Sequence, residues 1–432
     1  MAIRVSEGKQ IFSVDTCGMS YVFALDVTGL LRHLYWGKKL NNPEEFIINP
    51  VPEISSNDLP VDQTWEEYTP WGGLRFKESS LKATFSDGVR DVVLKYDGYS
   101  VEGDHLVIRM KDACYPLKVD LHYRAWPESD LIERWVVLTN TGTDPISLEN
   151  VQSGEFNLPG TGYHLTNVSG HWGVEQQTFR EPMLPGKKIL ESRRGTTGHN
   201  HSPYFVMDKS ADDDQGEVWF GVLAYSGNFR ITVEATPYHT TRIQAGINNF
   251  DFSWKLKGGE TFQTPSVFAG YTTGGFGEMS RTLHRFARTN ILPAGFRDKI
   301  RPVLYNSWEA TAFDIDCESQ MKLAEMAAEM GVEQFVIDDG WFGARNTDKA
   351  GLGDWFINKQ KFPDGLTPLI NKVKSLGMEF GIWIEPEMVN PDSDLYRNHP
   401  DWCFHFPTRE RTPSRKQLVL NMTRPEVQEY LF

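Results

Sequence analysis

The stretch FVIDDGWFG at 335–343 runs three apolar residues into two adjacent aspartates, Asp338 and Asp339, followed by a glycine and two aromatics. Adjacent carboxylates repel, and desolvating either one is costly without a partner. Three kinds of partner suit the pattern. Local backbone amides would make the pair an ordinary strand-to-loop turn. A Mg2+ ion would require further carboxylates from other strands, which Glu385 and Glu387 of WIEPEMV (383–389) could offer. A sugar would give its hydroxyl protons to the carboxylates in charge-assisted bonds worth about 1.5–3 kcal/mol each. Trp308, Trp341 and Trp383 would then supply flat faces for the C–H side of the ring. The tryptophans favour the sugar over the metal.

Other candidates are weaker. Glu385 and Glu387 stand at i and i+2, but Pro386 between them reads as a rigid corner where one glutamate bonds backbone, not as a catalytic pair. His199 and His201 of GHNHSPY lack a third ligand at metal spacing, so they read as a loop bonded through its side chains. Arg415 of PSRKQL is of the type that clamps oxygen pairs, with a solvated loop arginine as the plain alternative.

Strands and helices must position these residues. From Arg301 onward PVLYNSW (302–308), EQFVIDD and EFGIWIEPE read as strands, and QLVLN (417–421) as a fourth. CESQMKLAEMAAEM (317–330) reads as a helix capped by Asp316 and stopped at Gly331. LTPLINKVKSL reads as a second helix, stopped at Gly377, and RPEVQEYLF opens another. The helix–Gly–strand–acid unit recurs after 46 residues, the mark of βα repeats on a parallel sheet. Four such units would make the first half of a (β/α)8 barrel, whose chemistry sits at the C-terminal ends of its strands. Those ends hold Asn306 and Trp308; Asp338, Asp339 and Trp341; Trp383, Glu385 and Glu387; and Asn421.

Before residue 280 the pattern is different. Short alternating runs such as LKVDLHYRAW and LIERWVVLTNTG, each bounded by turn residues, predict an antiparallel sandwich. The expected organisation is a β domain over 1–283, a helical linker over 284–300 and the barrel units over 301–432.

Bulk composition narrows the partners. The 432 residues carry a net charge of -14, which argues against nucleic acid and anionic membrane. The four cysteines (Cys17, Cys114, Cys317, Cys403) form no CxxC pair, and the first residues lack the apolar core of a signal peptide. A cytoplasmic protein is the expectation. Sequons at Asn167, Asn200 and Asn421 are of a kind that arises often by chance.

Taken together, NSWEA (306–310), VIDDGWFGAR (336–345), LGDW (352–355), WIEPEMVNPDSDLYRNHPDW (383–402) and QLVLNMTRPEV (417–427) resemble glycoside hydrolase family 36, the α-galactosidases. GHWGVEQQTF (170–179) and SRRGTTGHNHSPYF (192–205) are similar to that family's N-terminal β-supersandwich. The resemblance implies that Asp338 and Asp339 bind O4 and O6 of galactose. It also implies that Trp308 and Trp383 line the sugar subsite and that Arg415 reaches the O2/O3 side. It implies hydrolysis of terminal α-galactose from raffinose-type oligosaccharides with retention, no metal or organic cofactor, and a homo-oligomer, many members being tetramers. α-N-Acetylgalactosaminidase activity and non-catalytic galactoside binding are the alternatives.

Two departures stand out. The family's nucleophile is the Asp of a KWD strand after the helix begun by RPEVQEYL, with the acid/base Asp further on; no KWD occurs here, so the expectation is that residues 1–432 alone are inactive and that no catalytic residue lies among them. Where members often carry an Asp-Phe-Arg stretch that reaches a neighbouring subunit's site, Arg75, Phe76 and Lys77 stand instead.

Overall fold

A computed structural model describes residues 2–48 and 57–432, and the chain divides into two compact units, Met1–Arg297 and Asp298–Phe432. Among the described residues the strands of the first unit pair with one another in antiparallel ladders. Three sheets result among the described residues, of four, six and ten strands. The strand Leu117–Trp126 shows why: Leu117, Val119, Leu121, Tyr123 and Ala125 are buried while the residues between them are not, the period-two pattern of a sheet with one covered face. One continuous apolar cluster draws on all three sheets, with Phe23, Leu121 and Phe156 among its members, which makes this unit a sandwich.

The sandwich interior is not wholly apolar. Glu67 is fully buried and accepts bonds from the Tyr21 and Tyr123 hydroxyls, both at 2.8 Å, with His33 Nδ1 at 2.9 Å and Arg134 at 3.1 Å. Nearby, Glu155 is held by Arg242 at 2.7 Å and by the Ser80 hydroxyl at 2.8 Å. Such groups survive burial only because each is paired.

The second unit opens with three parallel strands, Leu304–Asn306, Gln334–Ile337 and Glu379–Ile382, in that spatial order. The helices Cys317–Glu329 and Thr367–Ser375 connect them. Asp316 caps the first helix in a reciprocal capping box with Ser319. Gly331 and Gly377 follow the two helices with φ of 86° and 85°, left-handed positions that favour glycine. Helix–Gly–strand is therefore a real repeat, and the unit is part of a (β/α)8-type barrel.

One expected element differs. Within 417–421 only Leu418–Val419 is strand, and it pairs antiparallel with Met388–Val389, apart from the parallel sheet. The parallel strands are thus three, and Asn421 is not at a barrel strand end. Its side-chain oxygen instead accepts from the Thr423 amide and hydroxyl at 3.2 and 2.6 Å, a local turn. A short apolar run fits either role, and here the chain after Trp383 folds back to pair with it. No helix among the described residues is long and apolar enough to cross a membrane.

Candidate functional site

The three parallel strands deliver Asn306, the Asp338–Asp339 pair and Trp383 to one end of the sheet, the C-terminal one where barrels keep their chemistry. The turn that follows depends on Gly340, whose φ is 104° and where a Cβ would stand 3.1 Å from the Phe313 backbone. Lys361 locks the turn from below, its ammonium donating to the carbonyls of Gly340 (2.7 Å), Phe313 (2.9 Å) and Arg345 (3.1 Å).

The two aspartates have different partners. Asp338 is half-buried; its Oδ2 accepts from Asn306 Nδ2 at 2.6 Å and its Oδ1 from the Asp339 amide at 2.7 Å. Asp339 is buried and is gripped by both arms of a fully buried Arg345, Nε to Oδ1 at 2.9 Å and Nη2 to Oδ2 at 2.7 Å. The Arg345 guanidinium is flanked by the rings of Phe313 and Phe342 at 5.3 and 6.0 Å. Such a bidentate pair is what makes a buried carboxylate tenable. The cation that the twin charges call for is therefore partly the chain's own. Among the described residues no group of three or more His, Cys, Asp or Glu side chains is arranged to hold a metal.

Trp383 is half-buried, near-parallel to the Phe342 ring at 6.4 Å, and its carbonyl accepts from Trp341 Nε1 at 2.9 Å. Trp341 itself is buried in the core of the unit, so it supports the site from behind and offers no face to a ligand. Trp308 stays exposed, edge-on to Phe313 at 5.1 Å. Arg415 is exposed, and its guanidinium makes no hydrogen bond or ion pair among the described residues.

Glu385 belongs to the same neighbourhood. Burial raises its pKa, Glu387 adds to the rise, and Arg415 and Arg345 pull the other way. Neither glutamate side chain bonds backbone among the described residues, contrary to the corner expected from the sequence; Glu387 engages Leu420 only through its carbonyl, at 3.0 Å. Pro386 stiffens the corner, and neither carboxylate anchors it. The remaining motifs are structural. Asp354 of LGDW accepts from the amides of Asp394 and Leu395 at 3.0 and 2.9 Å, capping the helix Asp394–Asn398. The His199–His201 loop is tied by Ser169 Oγ to the Asn200 carbonyl at 2.6 Å and by Asn200 Nδ2 to the Gly170 carbonyl at 3.2 Å.

In the 75–77 stretch the charges turn inward. Arg75 donates to Glu66 at 2.8 Å, and Lys77 to the carbonyls of Val61 and Thr64 at 2.8 and 2.7 Å, leaving only Phe76 exposed.

Sequence reasoning missed Arg345, Asn390 and Lys361, all in loops where no periodicity reports. The signal for Arg345 was present: a carboxylate pair at the end of a buried strand requires a countercharge, and this arginine follows six residues after Asp339.

A many-stranded sandwich thus precedes parallel βα units with carboxylates and aromatics at their strand ends. Comparison with known proteins gives the family. Residues 29–257 match the glycosyl hydrolase family 36 N-terminal domain and residues 261–432 match melibiase. The chain belongs to glycosyl hydrolase family 36. It is 37% identical to alpha-galactosidase AgaA of Geobacillus stearothermophilus, an alignment covering 100% of this chain and 63% of that protein. The crystal structure of the family 36 alpha-galactosidase AgaB from the same organism superposes with a TM-score of 0.93 at 37% identity, over 100% of this chain and 63% of that one. A doubly substituted AgaA in complex with raffinose superposes with a TM-score of 0.91 at 37% identity, covering 98% of this chain and 62% of that one. The chain thus spans somewhat under two thirds of the length of these relatives.

Proposed function

We propose that this chain carries the galactose-recognition half of a retaining α-galactosidase acting on raffinose-type oligosaccharides. The carrying observation is the strand-end carboxylate pair with lone pairs to spare. An ionised carboxylate offers about four acceptor positions; Asp338 uses two on Asn306 and the Asp339 amide, and Asp339 uses two on Arg345. Each can still accept from a hydroxyl, which suits O4 and O6 of one galactose. Trp383 and Trp308 would border the ring, and Arg415, free of hydrogen bonds among the described residues, would reach O2 and O3. The raffinose bound by the AgaA variant supports the substrate class. Retention requires two further carboxyl groups about 5–5.5 Å apart, and we assign neither role to a residue of this chain.

The same reading takes the protein as cytoplasmic, with its four cysteines as free thiols. It also takes the protein as a homo-oligomer, for which the exposed Trp172 and Phe179 of one long hairpin offer apolar surface.

The test pairs p-nitrophenyl α-galactoside with this chain and with a chimera that continues it with the C-terminal portion of AgaA. We expect p-nitrophenol from the chimera, its near-complete loss in Asp338→Ala, and none from the chain alone. Turnover by the chain alone would return Glu385 and Glu387 to catalytic candidacy, and an Asp338→Ala chimera as active as its parent would overturn the site.

A further inference from the structure

A second buried polar group ties the Asp339–Arg345 pair to the backbone next to Arg415. Asn390 is fully buried and its amide is saturated. Its Oδ1 accepts from Arg345 Nη1 at 2.8 Å and from the Leu352 amide at 2.9 Å. Its Nδ2 donates to the carbonyls of Lys416 at 2.8 Å and Asp348 at 3.3 Å. All four bonding positions of the side chain are used, and no other residue type reproduces two acceptances and two donations from this spot. One unbroken path follows: Asp339, Arg345, Asn390, Lys416 carbonyl.

That carbonyl lies in an unusual turn. Arg415 and Lys416 are the two central residues of a tight reversal, closed by Gln417 N to Ser414 O at 2.8 Å and Ser414 N to Gln417 O at 3.2 Å. Their φ values are 50° and 58°. Two-residue reversals of this hand prefer Asn-Gly because both positions are left-handed, and side chains with a Cβ are strained there. A strained turn persists only where its surroundings hold it. Here the surroundings include the Asn390 bond to Lys416, adjacent to the residue whose guanidinium is free of hydrogen bonds among the described residues.

We propose that Asn390 is a positioning residue: through the Lys416 carbonyl it holds the Arg415 turn in register with the Asp339–Arg345 pair, so that both sides of the sugar are gripped together. This rests on the galactoside reading above. It assigns Asn390 no contact with substrate.

Asn390→Asp separates the two halves of the role. It keeps acceptors for Arg345 and Leu352 but replaces both donations with repulsion from the Lys416 and Asp348 carbonyls. Raffinose affinity of the 432-residue chain is measured by calorimetry for wild type, Asn390→Asp, Arg415→Ala and the double variant, with Tm recorded for each. Asn390→Asp should weaken raffinose about tenfold, and the double variant should bind no more weakly than Arg415→Ala. Any loss of Tm from Asn390→Asp should be equal in both backgrounds. Multiplying fold-losses in the double variant, or unchanged affinity in Asn390→Asp, would overturn the positioning role while leaving the site intact. Should Asn390→Asp not fold, Asn390→Ala, which removes the donation to the Lys416 carbonyl without adding a charge, is expected to weaken raffinose without summing with Arg415→Ala; full affinity in that variant would equally overturn the proposal. Wild-type chain that binds no raffinose would mark failure of the galactoside reading itself.

Discussion

Arg345→Leu is the sharpest perturbation of the second unit. Arg345 is fully buried, Asp339 is 5% exposed, and the two bonds between them measure 2.9 and 2.7 Å. Removing one partner of a buried pair leaves an uncompensated charge and costs about 3–5 kcal/mol. Two further bonds, to the Ala350 carbonyl and Asn390, also disappear. Leucine recovers some packing against Phe313 and Phe342, so we expect a loss of about 4 kcal/mol, within the same range. Removing the orphaned charge as well, in Arg345→Leu/Asp339→Asn, should return about 2 kcal/mol of that, because a neutral amide is far cheaper to bury. Because the chain has two units, one denaturation midpoint would blend them. Hydrogen exchange of the Val336 and Ile337 amides reads the second unit alone, and about 4 kcal/mol corresponds to roughly thousandfold faster exchange. Less than tenfold acceleration in Arg345→Leu, or a double variant whose loss equals the sum of the singles, would refute the claim that this pair is mutually dependent.

Two pH dependences follow from buried carboxylates. Burial alone would raise Glu155, but Arg242 and Lys77, with bonds from Arg242 and Ser80, outweigh it and bring the pKa down to about 2. A folded pKa below the ordinary 4.5 gives stability that is present above 4.5 and lost as pH falls toward 2, about 3 kcal/mol in all. Glu155→Gln should flatten the acid limb of the first unit's stability curve, and an unchanged limb would contradict the pairing. Glu385 has the opposite sign. Burial and Glu387 raise its pKa, so its ionisation penalises the folded state as pH rises through that raised value, and the penalty is absent below the ordinary carboxylate range. Glu385→Gln should therefore stabilise the second unit at pH 8 and leave it unchanged at pH 3; a variant equally stabilised at both would show that charge is not the cause.

What the sequence disclosed followed its periodicities. The βα repeat placed Asp338, Asp339 and Trp383 correctly at strand ends, because a strand of four residues between a helix-stopping glycine and a polar turn has little freedom. The Asp316 cap and the two glycine stops were legible for the same local reason. Loop geometry was not. The run 417–421 is too short for its periodicity to tell a barrel strand from the antiparallel ribbon it forms with Met388–Val389. Arg345, Asn390 and Lys361 converge from separate loops, and only the requirement that buried charge be matched anticipates any of them. In the sandwich, Arg134 sits within the run Leu131–Asn140, where six consecutive residues are buried, and nothing in that run announces that its guanidinium will meet Glu67.

The central claim is that the strand-end carboxylates recognise terminal galactose, and calorimetric titration with raffinose and with sucrose tests it most directly. The two sugars differ only by the terminal α-galactosyl unit. Raffinose should bind, sucrose should not, and Asp338→Ala should abolish the raffinose heat. Equal binding of both sugars, or raffinose binding untouched by Asp338→Ala, would contradict it.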